Sequence, residues 1–158
     1  MGMMFSANAT GQAIAAAGDM LEVISPSDAA VVLHRLWIEQ QTEEGDAESE
    51  QITISLKRIT GAPTSGSGGT AVTPVVLAAG GAAAGTTVEA NNTTDLTGGT
   101  SVTIMSRSFN VMNGLEVVFT PEERPNIAPS TRFLITLDQS PTDSVTFDYG
   151  IIFEEVGG

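Results

Sequence analysis

The chain has 158 residues, with six Lys and Arg against 19 Asp and Glu, a formal net charge of −13 and no cysteine. Its length suits one domain with a single core. The charge argues against binding to nucleic acid or to an anionic membrane surface, because both need clustered cations. The missing cysteines exclude disulfides and thiolate metal sites. Aromatic residues are only 5% of the chain, so the core must be mainly aliphatic or be completed by a neighbouring subunit.

The first 17 residues are predicted to form an N-terminal arm, followed by a single β-domain over residues 18–158. No basic residue precedes the short apolar stretch Ala13–Ala17. That arrangement is not typical of a secretory signal, so we expect synthesis in the cytoplasm. No segment approaches the roughly 20 apolar residues that a membrane-spanning helix needs.

Within this arm, residues 1–11 (MGMMFSANATG) contain three neighbouring apolar side chains, Met3, Met4 and Phe5. These side chains have no obvious core to enter. We therefore consider them a candidate anchor for a partner chain, with an unstructured start as the alternative.

Three strands are predicted in the next part of the chain. Met20–Ile24 is short and ends in turn-forming residues, whereas Ala30–Gln40 alternates imperfectly and indicates a strand covered on both faces. Gln51–Ile59 shows the clearest period of two, which predicts one buried and one wet face. The polar segment Thr42–Glu50 would connect the last two strands as a hairpin with a long loop.

The second half of the chain contains further short strands separated by loops rich in Gly, Ser and Thr. The predicted strands are Val72–Leu77 (interrupted by Pro74), Thr86–Ala90, Ser101–Phe109, Leu115–Thr120, Arg132–Asp138 and Ser144–Glu154. Roughly eight or nine strands with frequent turns are typical of a sandwich or barrel. We therefore predict an all-β fold: a single-domain antiparallel β-sandwich, jelly-roll-like, with long loops.

Catalytic motifs are not apparent. His34 is the only histidine, and no Ser lies in a G-x-S-x-G elbow that could pair with it, so a structural histidine is favoured over a general base. The glycine-rich residues 66–69 lack the Gly-Lys-Ser/Thr ending of a phosphate-binding loop and indicate a flexible connection. Paired acids for polysaccharide hydrolysis depend on spacing in three dimensions. We expect no enzymatic activity and no cofactor.

An acidic stretch offers the one weak candidate for a metal site, formed by Glu43, Glu44, Asp46 and Glu48. A calcium ion needs roughly six to eight oxygen ligands from a pre-arranged loop. The carboxylates here do not follow the D-x-[DN]-x-[DN]-G order. A solvated loop that supplies solubility is the favoured interpretation.

Several segments together carry a resemblance: TEEGDAESEQITISLKR (42–58), TSGSGGTAVTP (64–74), EANNTT (89–94), the Phe109-Asn110-Val111 region and FTPEERP (119–125). In their order they resemble a group of small virion or head-associated proteins of tailed phages and prophages. Such acidic β-sandwich proteins are similar to capsid decoration, or cement, proteins. One departure is that FNVMNG (109–114) lacks the tryptophan expected beside its asparagine.

The resemblance implies a homotrimer that binds the major capsid protein on the exterior of the phage head, after synthesis in the cytoplasm of the bacterial host. It carries over no contact residues. The alternative is a head-fibre, tail or baseplate module that binds a host-surface receptor through the loops Thr60–Thr70 and Asn91–Gly99. A polysaccharide-degrading domain is a third possibility.

Overall fold

A computed structural model of the protein describes residues 2–41 and 49–157. These residues form twelve β-strands and no helix: β1 (Met3–Ile14), β2 (Gly18–Ile24), β3 (Ala29–Gln40), β4 (Gln51–Thr60), β5 (Thr70–Val72), β6 (Val75–Val76), β7 (Thr87–Ala90), β8 (Thr100–Asn110), β9 (Leu115–Val118), β10 (Asn126–Ile127), β11 (Arg132–Leu137) and β12 (Val145–Gly157). The described residues therefore contain no helix that could cross a membrane.

The strands form two antiparallel sheets of six strands each. Sheet A has the order β10-β3-β12-β1-β6, with β9 also pairing with β3; sheet B has the order β5-β7-β2-β11-β4-β8. The long strand β12 lies between β1 and β3, and β11 lies between β2 and β4. The predicted antiparallel β-sandwich is therefore confirmed, while the jelly-roll arrangement stays a prediction.

One hydrophobic core contains buried side chains from both sheets. All six phenylalanines of the sequence are buried in it. Phe5 stacks on Phe153 with 5.5 Å between ring centroids, and Phe109 meets Phe147 edge-on at 6.5 Å. Burying each such ring stabilises the fold by about 1.5–3 kcal/mol. The few aromatic residues are thus concentrated in the core, where they contribute most.

The N-terminal segment differs from the predicted arm, because Met3–Ile14 forms β1 and pairs with β12 along its length. Phe5, Ala7 and Ala9 are buried, while the alternate residues are half-buried or exposed. This is a period of two, and alanine at two of the three inward positions made it inconspicuous in the sequence. The arm prediction was wrong for these residues.

The predicted hairpin around the acidic segment is also wrong. Its two strands, β3 and β4, lie in different sheets, where β3 pairs with β12 and β4 with β11. Both strands have an apolar face, and placing them in opposite sheets lets both faces enter the same core.

The imperfect alternation of β3 has a local cause. Its pairing with β12 shifts register so that Ile152 is opposite Arg35 and Phe153 is opposite Leu33, which leaves His34 as an extra residue. Such a bulge changes which parity points inward. Leu33 and Leu36 are accordingly both buried on the core side.

Candidate functional site

The sandwich has two lateral sides, each bordered by the outermost strands of the two sheets. On the β5–β6 side, β5 ends sheet B, β6 ends sheet A, and Thr73-Pro74 connects them. On the β8–β9 side, β8 ends sheet B, β9 flanks β3 in sheet A, and residues 111–114 connect them. The two sides differ in strand length, because β5 and β6 have three and two residues whereas β8 has eleven.

Strand β8 is exposed on both faces along most of its length. Only Met105 and Phe109 are packed with the core. Val102 and Ile104 are 46% and 39% exposed although both are large and apolar. Sheet A has only β9 and β10, four and two residues long, at the margin facing β8. Strand β8, the exposed last strand of sheet B, is called the ledge below.

One edge of β8 is paired and the other has no partner strand among the described residues. The paired edge runs beside β4 from Thr100 to Asn110, with a register shift at which Ile104 is the extra residue. The Val111 N–H donates to the Glu50 carbonyl. Because antiparallel strands alternate the direction of their backbone groups, those of Ser106 and Ser108 then point away from β4. The outer edge of β8 thus presents unused donors and acceptors.

The outer face of sheet B beside this edge carries a row of hydroxyl groups. Thr53 and Ser108 lie 2.8 Å apart, and Ser55 and Ser106 lie 2.7 Å apart, between their hydroxyl oxygens. The Ser55 hydroxyl also donates to Asp138 at 2.5 Å. These cross-strand pairs hold β8 against β4, so the ledge is an ordered part of the sheet.

The loops Thr60–Thr70 and Asn91–Gly99 fold over another part of sheet B. Backbone bridges join Thr64 to Thr97 and Ser67 to Thr94. The first loop was expected to be a flexible connection, and these bridges show instead that it is held in place.

A buried ion pair lies beneath these loops. Glu22, which is 1% exposed, accepts a hydrogen bond from Arg132 at 2.5 Å. The same carboxylate accepts the Gly66 N–H at 3.1 Å and the Asn92 amide at 3.4 Å. Arg132 also donates to Ser65 at 2.7 Å. A buried carboxylate must be paired and hydrogen-bonded, and the partners of Glu22 and Arg132 include residues of both loops. The ion pair therefore holds both loops against the sheet.

An open cleft of about 450 Å³ lies next to the second loop, with Asp19, Asp95, Asp138 and Lys57 among its lining residues. Asp95 accepts the Asp19 N–H at 3.0 Å, and Asp19 accepts the Leu96 N–H at 2.5 Å. These reciprocal bonds use the two carboxylates to fix the loop. Lys57 lies 4.0 Å from Asp138.

Burial raises the pKa of Asp19 above its ordinary value of 3.8. The charges of Asp95 and Glu22 act in the same direction, whereas the Leu96 N–H and Lys57 oppose the shift. Within residues 2–41 and 49–157, no group of three or more His, Asp or Glu side chains could hold a metal ion.

His34 lies at the β3 bulge, and its Nε2 is 3.1 Å from a carboxylate oxygen of Glu154. Both side chains are mostly buried, at 16% and 17% exposure. The contact joins β3 to β12, in agreement with the expected structural role.

The remaining candidate residues fall in different places. Glu43, Glu44, Asp46 and Glu48 lie outside the described residues. Of the proposed anchor, Phe5 is fully buried in the core, while Met3 packs against the core and Met4 is half-buried. The Phe5 ring is therefore not available to a partner chain, and the reason is its inward parity in β1.

The sequence also contained a feature whose position was not predicted. Ser101–Phe109 was expected to be a strand, but not the exposed margin of a sheet. Val102 and Ile104 have the composition of a buried strand face. Ser and Thr occupy alternate positions around Val102 and Ile104, and this pattern indicates a solvent-exposed strand.

No protein-family model, curated protein sequence or solved structure matches this chain.

Proposed function

We propose that this protein is a non-enzymatic structural component of a phage particle, and specifically a capsid decoration protein. It binds the outer surface of the major capsid lattice as a homotrimer, so its location is the virion exterior. The observation that supports an assembly role is the long, unpaired and partly apolar edge of β8. The phage context and the trimer come from the sequence resemblance.

An edge of this kind favours association with another chain. Proteins usually protect their sheet margins with short strands, Lys, Pro or a covering segment. The β5–β6 side follows this pattern, with Pro74 between two very short strands. Strand β8 has eleven residues, no Pro, no Lys and one Arg, and its one protective feature is the bulge at Ile104. An edge left open over this length is suited to pairing with a partner strand.

The charge of the chain is compatible with display on a particle surface. A net charge of −13 keeps free copies apart in solution through mutual repulsion. Association must then use a surface on which the negative charge is locally absent. Strand β8 contains neither Asp nor Glu.

Two measurements test the proposal. Sedimentation equilibrium of the purified chain should give the mass of a trimer, and a monomer at micromolar concentrations would contradict the homotrimer. Capsid shells assembled without the protein should then bind it at regular lattice positions. Shells that leave it in the supernatant would overturn the decoration role.

A receptor-binding module of a head fibre, tail or baseplate is the second candidate. It is favoured by the cleft of about 450 Å³ beside the loop Asn91–Gly99, which the hydrogen bonds of Asp19 and Asp95 hold in one conformation. A pre-formed cleft with convergent polar groups suits a small ligand. A glycan array distinguishes the two candidates, since a decoration protein should bind no glycan specifically.

A further inference from the structure

The cations of this acidic chain are unevenly distributed. Strands β4 and β8 comprise ten and eleven neighbouring residues without any Asp or Glu, and they contain Lys57, Arg58 and Arg107. These are three of only six Lys and Arg in the sequence. Strands β4 and β8 therefore carry three cations and no carboxylate of their own.

Two of these cations form no ion pair with the residues that the structure describes. Lys57 faces Asp138 on the outer face of the sheet. Arg58 and Arg107 are exposed and make no ion pair with any described residue. In β4, Arg58 has the parity of the inward residues Ile54 and Leu56, and Arg107 is paired opposite Ile54. Both arginines thus lie on the core-facing side of the ledge.

The spacing of the two arginines defines what could bind there. Arg58 and Ile54, the residue opposite Arg107, are four positions apart on one strand, or about 13 Å. Val102 is paired opposite Arg58 and Met105 lies between the two sites. Arg58 lies in β4, and the neighbouring strand β8 is about 4.8 Å away. The Arg58 side chain is long enough to reach across β8 to its outer edge. The surface therefore alternates cation, apolar, cation along the strand direction.

We propose that the outer edge of β8 receives an extended segment of a partner protein with acidic residues at i and i+4 and an apolar residue at i+2. The backbone groups of Ser106 and Ser108 pair with the added strand. The acidic side chains lie at Arg58 and Arg107, and the apolar one lies at Met105. This inference rests on the proposed assembly role and specifies its partner chemistry. A second copy of this chain is a poorer occupant, because β8 itself offers no carboxylate to either arginine.

The direct test uses a synthetic peptide, TETVTET, and its lysine counterpart, TKTVTKT. Each is titrated into the 15N-labelled full chain while backbone amide signals are followed. The glutamate peptide should shift the signals of β8 and slow hydrogen exchange at Ser106 and Ser108. It should bind at least about tenfold more tightly than the lysine peptide, equivalent to about 1.4 kcal/mol. Equal binding of the two peptides, or no binding, would overturn the proposed chemistry.

Two pairs of variants identify the surface. Arg58→Gln with Arg107→Gln should weaken binding about tenfold. Thr73→Glu with Ala79→Glu makes the same change in net charge on the β5–β6 side and should leave binding unchanged. Ser106→Pro removes an N–H that faces away from β4, which an edge position tolerates, and should abolish binding. Ser106→Ala keeps that N–H and should bind like the wild type; binding by Ser106→Pro at wild-type strength would contradict strand addition.

The outcomes separate this inference from the decoration role. If the peptide binds as described but capsid shells do not retain the protein, the decoration role fails and the edge site stands. If shells bind the wild type and Ser106→Pro equally, the edge site fails and the decoration role stands. If the wild type self-associates and Ser106→Pro does not, the occupant is a second copy, which overturns the acidic-partner assignment.

Discussion

On one lateral side of the sandwich, β5 and β6 are three and two residues long, and Pro74 separates them. On the other side, β8 runs for eleven residues with one edge unpaired in the described structure. Both sides expose apolar side chains, among them Val75 at 61% and Val102 at 46%. Only β8 presents them beside a long edge, interrupted by the bulge at Ile104, that pairs with no other strand among the described residues. If β8 is the association surface proposed above, its long unpaired edge distinguishes it from the other side, since both sides expose apolar side chains.

The β5–β6 side should fail through loss of stability when its buried contacts are removed. Phe5 lies there, in β1, paired opposite Val76 of β6 and stacked on Phe153. Phe5→Ala should lower the free energy of unfolding by about 3–5 kcal/mol, because it leaves a cavity in the core. Urea denaturation measures this, with Asn8→Ala, exposed on the same strand, expected within about 0.5 kcal/mol of the wild type. A wild-type midpoint for Phe5→Ala would favour the arm that the sequence first suggested.

The ion pair under the loops should give the next largest effect. Arg132→Met leaves Glu22 buried without its cation, and we expect a loss of about 2–3 kcal/mol, reduced from the fully buried case because Arg132 is partly exposed. Glu22→Gln combined with Arg132→Met should recover part of this loss, since no unpaired charge remains. Thermal denaturation of the wild type, the single variant and the double variant measures these differences in stability. If the single and double variants unfold together, the ion pair does not fasten the loops.

The β8–β9 side should respond in the opposite way, with assembly affected and stability preserved. Val102→Thr with Ile104→Thr keeps strand-forming residues at exposed positions, so unfolding should change by no more than about 0.5 kcal/mol. Binding of the glutamate peptide TETVTET, followed by amide signals, should weaken about tenfold. The matched control, Val75→Thr with Leu77→Thr, makes equivalent changes on the other side and should leave peptide binding unchanged. Equal weakening in both double variants would remove the distinction between the two sides.

The smallest effect concerns pH. Because the pKa of Asp19 is raised by folding, the folded state holds this proton more tightly. Stability contributed by Asp19 is therefore greatest at acidic pH and falls as pH rises above the ordinary value of 3.8. Asp19→Asn keeps an acceptor for the Leu96 N–H. As pH rises from acidic to neutral, its free energy of unfolding should increase relative to that of the wild type. Parallel pH dependences in the two proteins would contradict the assignment.

The sequence predicted those strands whose pattern is local. Gln51–Ile59 alternates visibly and became β4. Val72–Leu77, predicted as one strand interrupted by Pro74, is instead divided there, with β5 and β6 in different sheets. Strand β1 was missed because alanines occupy two of its inward positions, and β10 because two residues are too few to show a period. These failures come from weak local patterns.

Sheet order could not be predicted in the same way. Pairing between β3 and β12 joins residues distant in sequence, and no local pattern specifies which strand lies at a margin. Val102 and Ile104 therefore resembled core residues until the order of sheet B placed β8 at its end. The candidate surface is a property of the assembled sheets.

Electron cryomicroscopy of intact phage particles would show where this protein lies and which side of the sandwich it uses. We expect density for this sandwich on the outside of the head, with β8 against a strand of another chain and the β5–β6 side turned to solvent. Density elsewhere in the particle would contradict the decoration role. Contacts made by the β5–β6 side, with β8 exposed, would contradict the assignment of the association surface.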